Sequence, residues 1–134
     1  MQLRAEHLDG FTEHLVAWVL EAAGGSAILD ASWYANGRRI ERTLEMDFEV
    51  SRIEKCVDAL SKLKPEYDGR VDDFPTYLLS VKIDDCILAT KIHAGINWPE
   101  DDRRDIDTFM NVWRPIYSDV ERVLAIPGRS KKRK

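Results

Sequence analysis

The chain has 134 residues, of which 44% are hydrophobic and 33% charged, enough for one domain to bury a core without disulfides or metals. This composition argues against an intrinsically disordered chain, and no apolar run approaches the ~20 residues of a membrane-spanning helix. The first residues lack the basic and then apolar order of a secretory signal, so the sequence predicts a cytoplasmic protein.

The charge is distributed unevenly along the chain. The formal net charge is −4, from 24 acidic and 20 basic residues, and five of the basic residues lie in the segment 129–134. Without that segment, 24 acids face 15 bases, so the body has a net charge of about −9. An acidic body attracts basic partners, whereas a basic terminus attracts acidic ones. We expect one folded domain over residues 1–126 and a disordered basic tail over residues 127–134.

The first predicted element is an amphipathic helix over residues 3–23, which Gly24 and Gly25 end. Its apolar positions recur at intervals of three and four and are Leu8, Phe11, Leu15, Trp18 and Ala22. His7 and His14 would lie two turns apart on this helix, roughly 10 Å from each other, which is too far for a shared metal. We interpret both as residues at the border of the apolar face.

A β-hairpin is predicted from Ser26 onward, because the apolar residues now alternate and Asn36-Gly37 favours a two-residue type I′ turn. That turn places Trp33 opposite Ile40 and Leu29 opposite Leu44, on one apolar face. Arg42 is the exception on that face. The other face is mostly acidic, with Glu41, Glu45, Asp47 and, just beyond it, Glu49.

A second helix is predicted over residues 51–64. Ser51 and Glu54 match a capping box, an apolar stripe runs from Ile53 to Leu63, and Pro65 ends the element. Residues 65–75 contain two prolines, a glycine and several acids, which predicts a connecting loop. Its acidic residues include Glu66, Asp68, Asp72 and Asp73.

A second hairpin is predicted from Tyr77 to Ile92, with the turn at Asp84-Asp85 and Ile83 opposite Cys86. Its outer face carries three apolar side chains that could be covered by a second subunit, which makes a homodimer one expectation. These residues are Leu78, Ile87 and Ala89. Cys56 and Cys86 occupy apolar positions and are interpreted as reduced residues of the core.

The last predicted element is a helix from about Pro99 to Leu124, with an apolar stripe that continues past Pro115. Because Pro115 cannot donate to the carbonyl of Asn111, we expect a kink there. The acids of residues 100–107 suit the positive end of a helix dipole, so their clustering is explained by a helix start.

These elements predict an α+β two-layer fold in the order α-β-β-α-β-β-α. The sheet would be four-stranded and antiparallel, built from the two hairpins, with helices packed on one face.

The candidates for chemistry are few. His93 with Asp101 and Asp105 could approach a metal, but two arginines among these acids would oppose a divalent cation. No phosphate-binding glycine loop or activated nucleophile is present in the sequence. We therefore predict no metal, no cofactor and no enzymatic activity.

The sequence favours a non-enzymatic protein-binding module of the immunity, inhibitor or chaperone kind, which would neutralise or escort a basic protein. The predicted docking residues are Glu41, Glu45, Asp47, Glu49, Glu66, Asp68, Asp72, Asp73 and Trp98. Two alternatives remain open at this point. The first is a nucleic-acid-associated accessory protein tethered by the basic tail, and the second is a small hydrolase around His93 with Asp101, Asp102 or Asp105.

Overall fold

The structure is a computed structural model that describes residues 1–129. These residues form seven strands and three helices, in the order of four strands, two short helices, three strands and one long helix. The strands are β1 (Gln2–Leu8), β2 (Ala17–Ala23), β3 (Ser26–Ala35), β4 (Arg38–Asp47), β5 (Glu66–Asp68), β6 (Thr76–Ile83) and β7 (Cys86–His93). The helices are α1 (Ser51–Glu54), α2 (Val57–Leu60) and α3 (Glu100–Leu124).

All seven strands form one sheet in the order β4-β3-β2-β1-β6-β7-β5. Neighbouring strands are antiparallel except for β5, which pairs in parallel with β7. The first four strands thus lie side by side in chain order, and β6 then pairs with the free side of β1. This arrangement leaves β4 and β5 as the two edges of the sheet.

The predicted fold class is wrong in its sheet and its element order, because the sheet has seven strands and is mixed, and α3 is the one long helix of residues 1–129. The largest error lies in residues 3–23, which form β1 and β2 instead of a helix. The three-and-four spacing that suggested a helix combines residues from two strands with Phe11 and Leu15 of the loop between them. Within each strand the buried residues alternate, as Leu3 and Ala5 do in β1, and pairing with β3 and β6 satisfies the backbone.

The predicted helix over residues 51–64 is replaced by two single turns, α1 and α2. Neither turn has a side-chain cap, and the hydroxyl of Ser51 donates to Glu49 rather than to the helix. Between the turns, the Cys56 N–H donates to Ile53, three residues back, which is a tighter bond than an α-helix makes. The predicted loop that follows contains β5, so it contributes an edge strand.

Both predicted hairpins are confirmed in register. Trp33 lies opposite Ile40, and Leu29 lies opposite Leu44. Asn36 and Gly37 have φ angles of 55° and 75°, as a type I′ turn requires. In the second hairpin, Ile83 lies opposite Cys86 as predicted.

The last helix is also confirmed, since α3 runs for 25 residues with Pro115 inside it, and the kink expected at Pro115 stays a prediction. Its apolar side packs on the sheet, where Trp113 stacks on Trp18 of β2 with ring centres 5.6 Å apart. Phe109 and Ile116 are fully buried beside it. Because β1, β2 and β3 each bury only alternate residues, α3 covers one face of the sheet, and we call the other the open face.

No helix within residues 1–129 has the length and apolar character needed to cross a membrane.

Candidate partner-binding surface

The edge strand β4 is the most exposed part of the sheet. It is ten residues long and pairs only with β3 within the described part of the chain. None of its residues is fully buried, whereas its neighbour β3 buries every second residue over most of its length. A long strand edge of this kind carries a row of backbone donors and acceptors without strand partners.

Three carboxylates of β4 point to the open face and are exposed, and we call Glu41, Glu45 and Asp47 the acidic row. Arg39 lies on the same side of β4 and pairs with Glu41, with 2.8 Å between Nη1 and Oε2. Within residues 1–129, neither Glu45 nor Asp47 takes part in an ion pair. The end of β4 away from the turn therefore has uncompensated negative charge.

The acidic character continues onto β3 and β2. Asp30 lies opposite Thr43 of β4 and accepts a 2.7 Å hydrogen bond from its hydroxyl. Glu21 of β2 accepts from Arg4, which also donates to Glu6, so one arginine is shared by two carboxylates. The open face on this side of the sheet is thus predominantly negative.

Two shallow grooves cross the open face. The larger, of about 690 Å³, includes Leu8, Asp30, Glu41 and Lys91 in its walls. The smaller, of about 500 Å³, lies toward Ile28 at the other end of the same strands. Large apolar side chains are exposed beside the charges on this face, namely Leu8, Ile28 and Ile87. Mixed apolar and charged surfaces of this kind are typical of protein-binding faces.

The other side of β4 carries a half-buried apolar row, formed by Ile40, Leu44 and Met46. Arg42 interrupts this row and places its guanidinium 5.9 Å from the centre of the Trp33 ring. The charge of Arg42 thus remains at the exposed edge while its stem covers apolar surface.

The remaining predicted docking residues lie elsewhere. Glu66 and Asp68 are exposed on β5, at the opposite edge of the sheet from β4. Six strand spacings separate these edges, which corresponds to roughly 30 Å. Asp72 and Asp73 are exposed in the loop after β5. The structure does not bring these four acids next to the acidic row.

Two further predicted residues differ in exposure. Glu49 lies two residues after the end of β4, is exposed, and accepts a hydrogen bond from Ser51. It therefore extends the acidic row toward α1. Trp98 is half-buried and packs against the core just before α3, so only part of its ring is accessible.

The residues of the hydrolase alternative bond to different partners. His93 lies at the end of β7, where Nε2 is 2.7 Å from the carbonyl of Val71. Asp102 pairs with Lys64, and Asp105 accepts from the hydroxyl of Tyr67. Within residues 1–129, no three His, Cys, Asp or Glu side chains converge as a metal site would require.

Sequence reasoning missed a buried cluster of charged residues at the end of β1, which we call the ionic cluster (His7, Asp9, Glu121 and Arg129). Asp9 accepts two hydrogen bonds from Arg129, at 2.7 and 2.8 Å, and one of 2.7 Å from Nε2 of His7. Arg129 also donates to Glu121 at 2.9 Å. The cluster therefore joins β1, α3 and the segment after α3.

The contacts within the ionic cluster shift the pKa values of Asp9 and Arg129. Burial alone would raise the pKa of Asp9, but hydrogen bonds from His7, Arg129 and Thr12 hold that pKa well below its ordinary value. Burial alone would likewise lower the pKa of Arg129, yet its bonds to Asp9 and Glu121 raise it. Burial and the neighbouring Glu121 raise the pKa of Tyr117 to about 12. Both charges of the Asp9–Arg129 pair are thus maintained over the whole ordinary pH range.

His7 occupies an aromatic environment within the same cluster. Its ring stacks between Trp18 and Tyr77, at centroid distances of 5.5 and 5.8 Å, and its Nδ1 has no hydrogen-bond partner among the described residues. The signal in the sequence is the run Leu3, Ala5, His7, which continues the buried alternation of β1. This alternation indicates a buried His7 only if residues 2–8 are assigned to a strand.

Arg129 belongs to this cluster, although it is part of the predicted basic tail. Its side chain is only 11% exposed, so the folded body includes this residue. Of the predicted tail, residues 127–134, only residues 130–134 lie outside the described residues. The first charge of the basic run is therefore largely buried and paired with Asp9 and Glu121.

The predicted dimer residues and cysteines are placed as follows. Ile87 and Ala89 are exposed on β7, and Leu78 is half-buried beside them on β6. Cys86 is exposed and Cys56 is half-buried, and both are free thiols. The prediction that Cys86 lies in the core is wrong, because Cys86 flanks the Asp84-Asp85 turn as the first residue of β7 and is exposed there.

Neither a known protein family nor an individual characterised protein shows significant sequence similarity to the chain.

Proposed function

We propose that the protein is a non-enzymatic binding module that docks a basic protein partner on the acidic row of β4. The observation that carries this proposal is the exposure of Glu41, Glu45 and Asp47 on a strand edge that no described element covers. The adjacent Asp30 and Glu21 extend the same negative surface. Such a module neutralises or escorts its partner, as immunity proteins, inhibitors and chaperones do.

Electrostatic attraction gives this surface a kinetic role. Carboxylates arranged on one surface steer a basic partner during its approach and raise the association rate, while solvent screening limits their contribution to final affinity. The apolar residues of the open face, such as Ile28, would then be covered in the complex and slow its dissociation.

The experiment compares two double variants that change the net charge of the protein by the same amount. One variant combines Glu45→Lys with Asp47→Lys, and the matched control combines Glu54→Lys with Asp107→Lys, which are exposed positions away from β4. The partner is captured from cells that express the protein, identified and purified, and association is then followed by stopped flow from about 50 to 500 mM salt.

The expected result is a fall of about tenfold in the association rate of the β4 variant at low salt, which shrinks as salt increases. The control changes net charge equally and should change the rate much less. Equal rates for the two variants, or a purified partner that is itself acidic, would overturn the proposed function.

We place this activity in the cytoplasm and allow for self-association through the second hairpin. An exposed free thiol at Cys86 is compatible with a reducing compartment. The apolar side chains of Leu78, Ile87 and Ala89 offer a surface that a second subunit could cover. Sedimentation of the wild type beside an Ile87→Lys variant tests this, since a dimer on that face would dissociate.

A further inference from the structure

The direction of the backbone groups along β4 follows from its hairpin. In a two-residue type I′ hairpin, the residues that flank the turn exchange both of their hydrogen bonds, and bonded pairs then recur at every second residue. The flanking pair is Ala35 and Arg38, so the even-numbered residues of β4 bond to β3. Two bonds beyond the ladder agree with this assignment, because Phe48 donates to Gly25 and Tyr34 donates away from β4, to His14.

The odd-numbered residues of β4 therefore direct their N–H and C=O groups away from the sheet. These residues are Arg39, Glu41, Thr43, Glu45 and Asp47. They include the whole acidic row, so the outward backbone groups and the exposed carboxylates belong to the same residues. An added strand would meet both at once.

The two sides of β4 require different side chains from such a strand. On the open face, the acidic row would lie beside the residues of the added strand that bond to it. On the helix side, the half-exposed Ile40, Leu44 and Met46 would lie beside the residues in between, and Arg42 would contribute its apolar stem while its guanidinium stays near Trp33. Because strand side chains alternate between faces, complementarity calls for basic and apolar residues in alternation.

We propose that β4 binds its partner by strand addition, through an extended segment in which lysine or arginine alternates with apolar residues. The segment pairs antiparallel with Arg38–Asp47, which continues the antiparallel order of β4, β3, β2 and β1. This inference rests on the proposed function and specifies how the partner is held.

Charge favours this occupant over a second copy of the chain. If two β4 strands paired with Thr43 opposite its copy, Glu41 would face Glu45 on both sides of the centre. The outer pairs would join Arg39 to Asp47. On the open face, however, each copy brings three carboxylates and, of the three arginines of β4, only Arg39, so net negative charge would meet net negative charge on that face. Charged edge strands disfavour self-pairing for this reason and still admit a strand of opposite charge.

The first test uses synthetic nine-residue peptides with lysine at odd positions and valine or threonine at even positions. The control peptide has the same composition with the lysines in one block. Binding to the full chain is measured by fluorescence anisotropy, and amide exchange is followed by NMR. The alternating peptide should bind at least about tenfold more tightly and slow exchange of the N–H groups of Glu41, Thr43 and Glu45 by a similar factor.

N-methylation of the peptide separates backbone pairing from charge attraction. In antiparallel pairing, the lysines opposite the acidic row direct their N–H groups to β4, whereas the valines direct theirs away. Methylation of the lysine nitrogens should therefore abolish binding, and methylation of the valine nitrogens should preserve it. Equal effects of the two modifications, or the reverse order, would overturn antiparallel addition.

The matching change in the protein is Thr43→Pro, which removes an outward N–H without breaking a bond to β3. Thr43→Val is the control, because it removes the hydroxyl that bonds to Asp30 but keeps the N–H. We expect the proline variant to lose at least about tenfold in peptide affinity at unchanged thermal stability, and the valine variant to lose little.

The outcomes distinguish the two proposals. If charge reversal at Glu45 and Asp47 weakens binding but methylation and Thr43→Pro do not, strand addition is overturned and the proposed function stands. If none of these changes affects binding, both the proposed function and strand addition are overturned. A wild-type dimer that Thr43→Pro converts to a monomer would identify a second copy as the occupant and overturn the inference.

Discussion

The carboxylates of this protein occupy two contrasting regions, the ionic cluster at the end of β1 and the acidic row on β4. In the cluster, the side chains of Asp9 and Glu121 are 4% and 10% exposed and accept hydrogen bonds from Arg129. In the row, Glu45 and Asp47 are exposed and have no ion-pair partner within residues 1–129. The same chemical group is therefore used in two ways.

The difference follows from the cost of desolvation. A buried carboxylate must be paired and hydrogen-bonded, because an unpaired charge in the interior is expensive, so its bonds are fixed by the fold. A solvated carboxylate has no such requirement, and it can exchange water for a partner at little cost. Substitutions should therefore act on stability in the first region and on binding in the second.

The largest effect is expected for Asp9→Asn. The change leaves Arg129 buried with Glu121 as its main counter-charge and weakens the bonds from His7 and the β1–β2 loop. Breaking a buried ion pair costs about 3 kcal/mol here, which corresponds to a fall of about 10 °C in Tm. Calorimetry and denaturant unfolding measure both quantities.

A double-mutant cycle with Arg129→Met controls for effects on Asp9 alone. If the two residues act as a pair, the double variant should be less destabilised than the sum of the single variants. Additive losses, or a loss below about 0.5 kcal/mol for Asp9→Asn, would show that the pair is not the stabilising feature.

The second effect is a loss of stability in acid. The pKa of Asp9 is lowered in the folded protein, so the folded state binds the Asp9 proton more weakly than the unfolded state, where the ordinary value is 3.8. Its contribution is therefore complete above that value and is lost progressively as pH falls below about 4. Unfolding measured from pH 6 downward should show a steeper loss in the wild type than in Asp9→Asn, and parallel curves would contradict this.

The predictability of the fold differs between local and long-range features. The two hairpins and α3 were predicted from sequence because a turn such as Asn36-Gly37 and a helical stripe are encoded by neighbouring residues. The strands β1 and β2 were not predicted, because the connection between them, residues 9–16, contains no short turn signal. By coincidence, the apolar residues of this connection also complete a helical spacing. The strand identity of β1 comes from pairing with β6, about 75 residues later in the chain.

The candidate site was likewise predictable only in part. Alternation and the hairpin register alone predict that Glu41, Glu45 and Asp47 lie together on one exposed face. Glu66 and Asp68 were grouped with them because sequence shows charge but not strand order. Likewise, nothing local relates Asp9 to Arg129, which are 120 positions apart.

A smaller effect is expected for Tyr67→Phe, a buried side chain whose hydroxyl bonds to two part-buried groups. The Tyr67 hydroxyl donates to Asp105 at 2.7 Å and accepts from the backbone N–H of Lys64 at 2.8 Å. Its removal leaves two part-buried polar groups without this partner and should cost about 1 to 2 kcal/mol in unfolding free energy. Lys64→Met retains the backbone bond and is the control, and an equal loss in that variant would place the effect in the Lys64–Asp102 ion pair instead.

The smallest effect on stability is expected for the pair Glu45→Lys and Asp47→Lys. Both side chains are exposed and neither is held by an ion pair within residues 1–129, so the unfolding free energy should change by no more than about 0.5 kcal/mol. Denaturant unfolding at low and high salt measures this change. A loss as large as that of Asp9→Asn would mean that the acidic row holds the fold together, and the contrast between the two regions would then be lost. A small loss in stability combined with a large fall in association rate would instead assign the row to binding, because solvated carboxylates contribute little to folding and much to the approach of a basic partner.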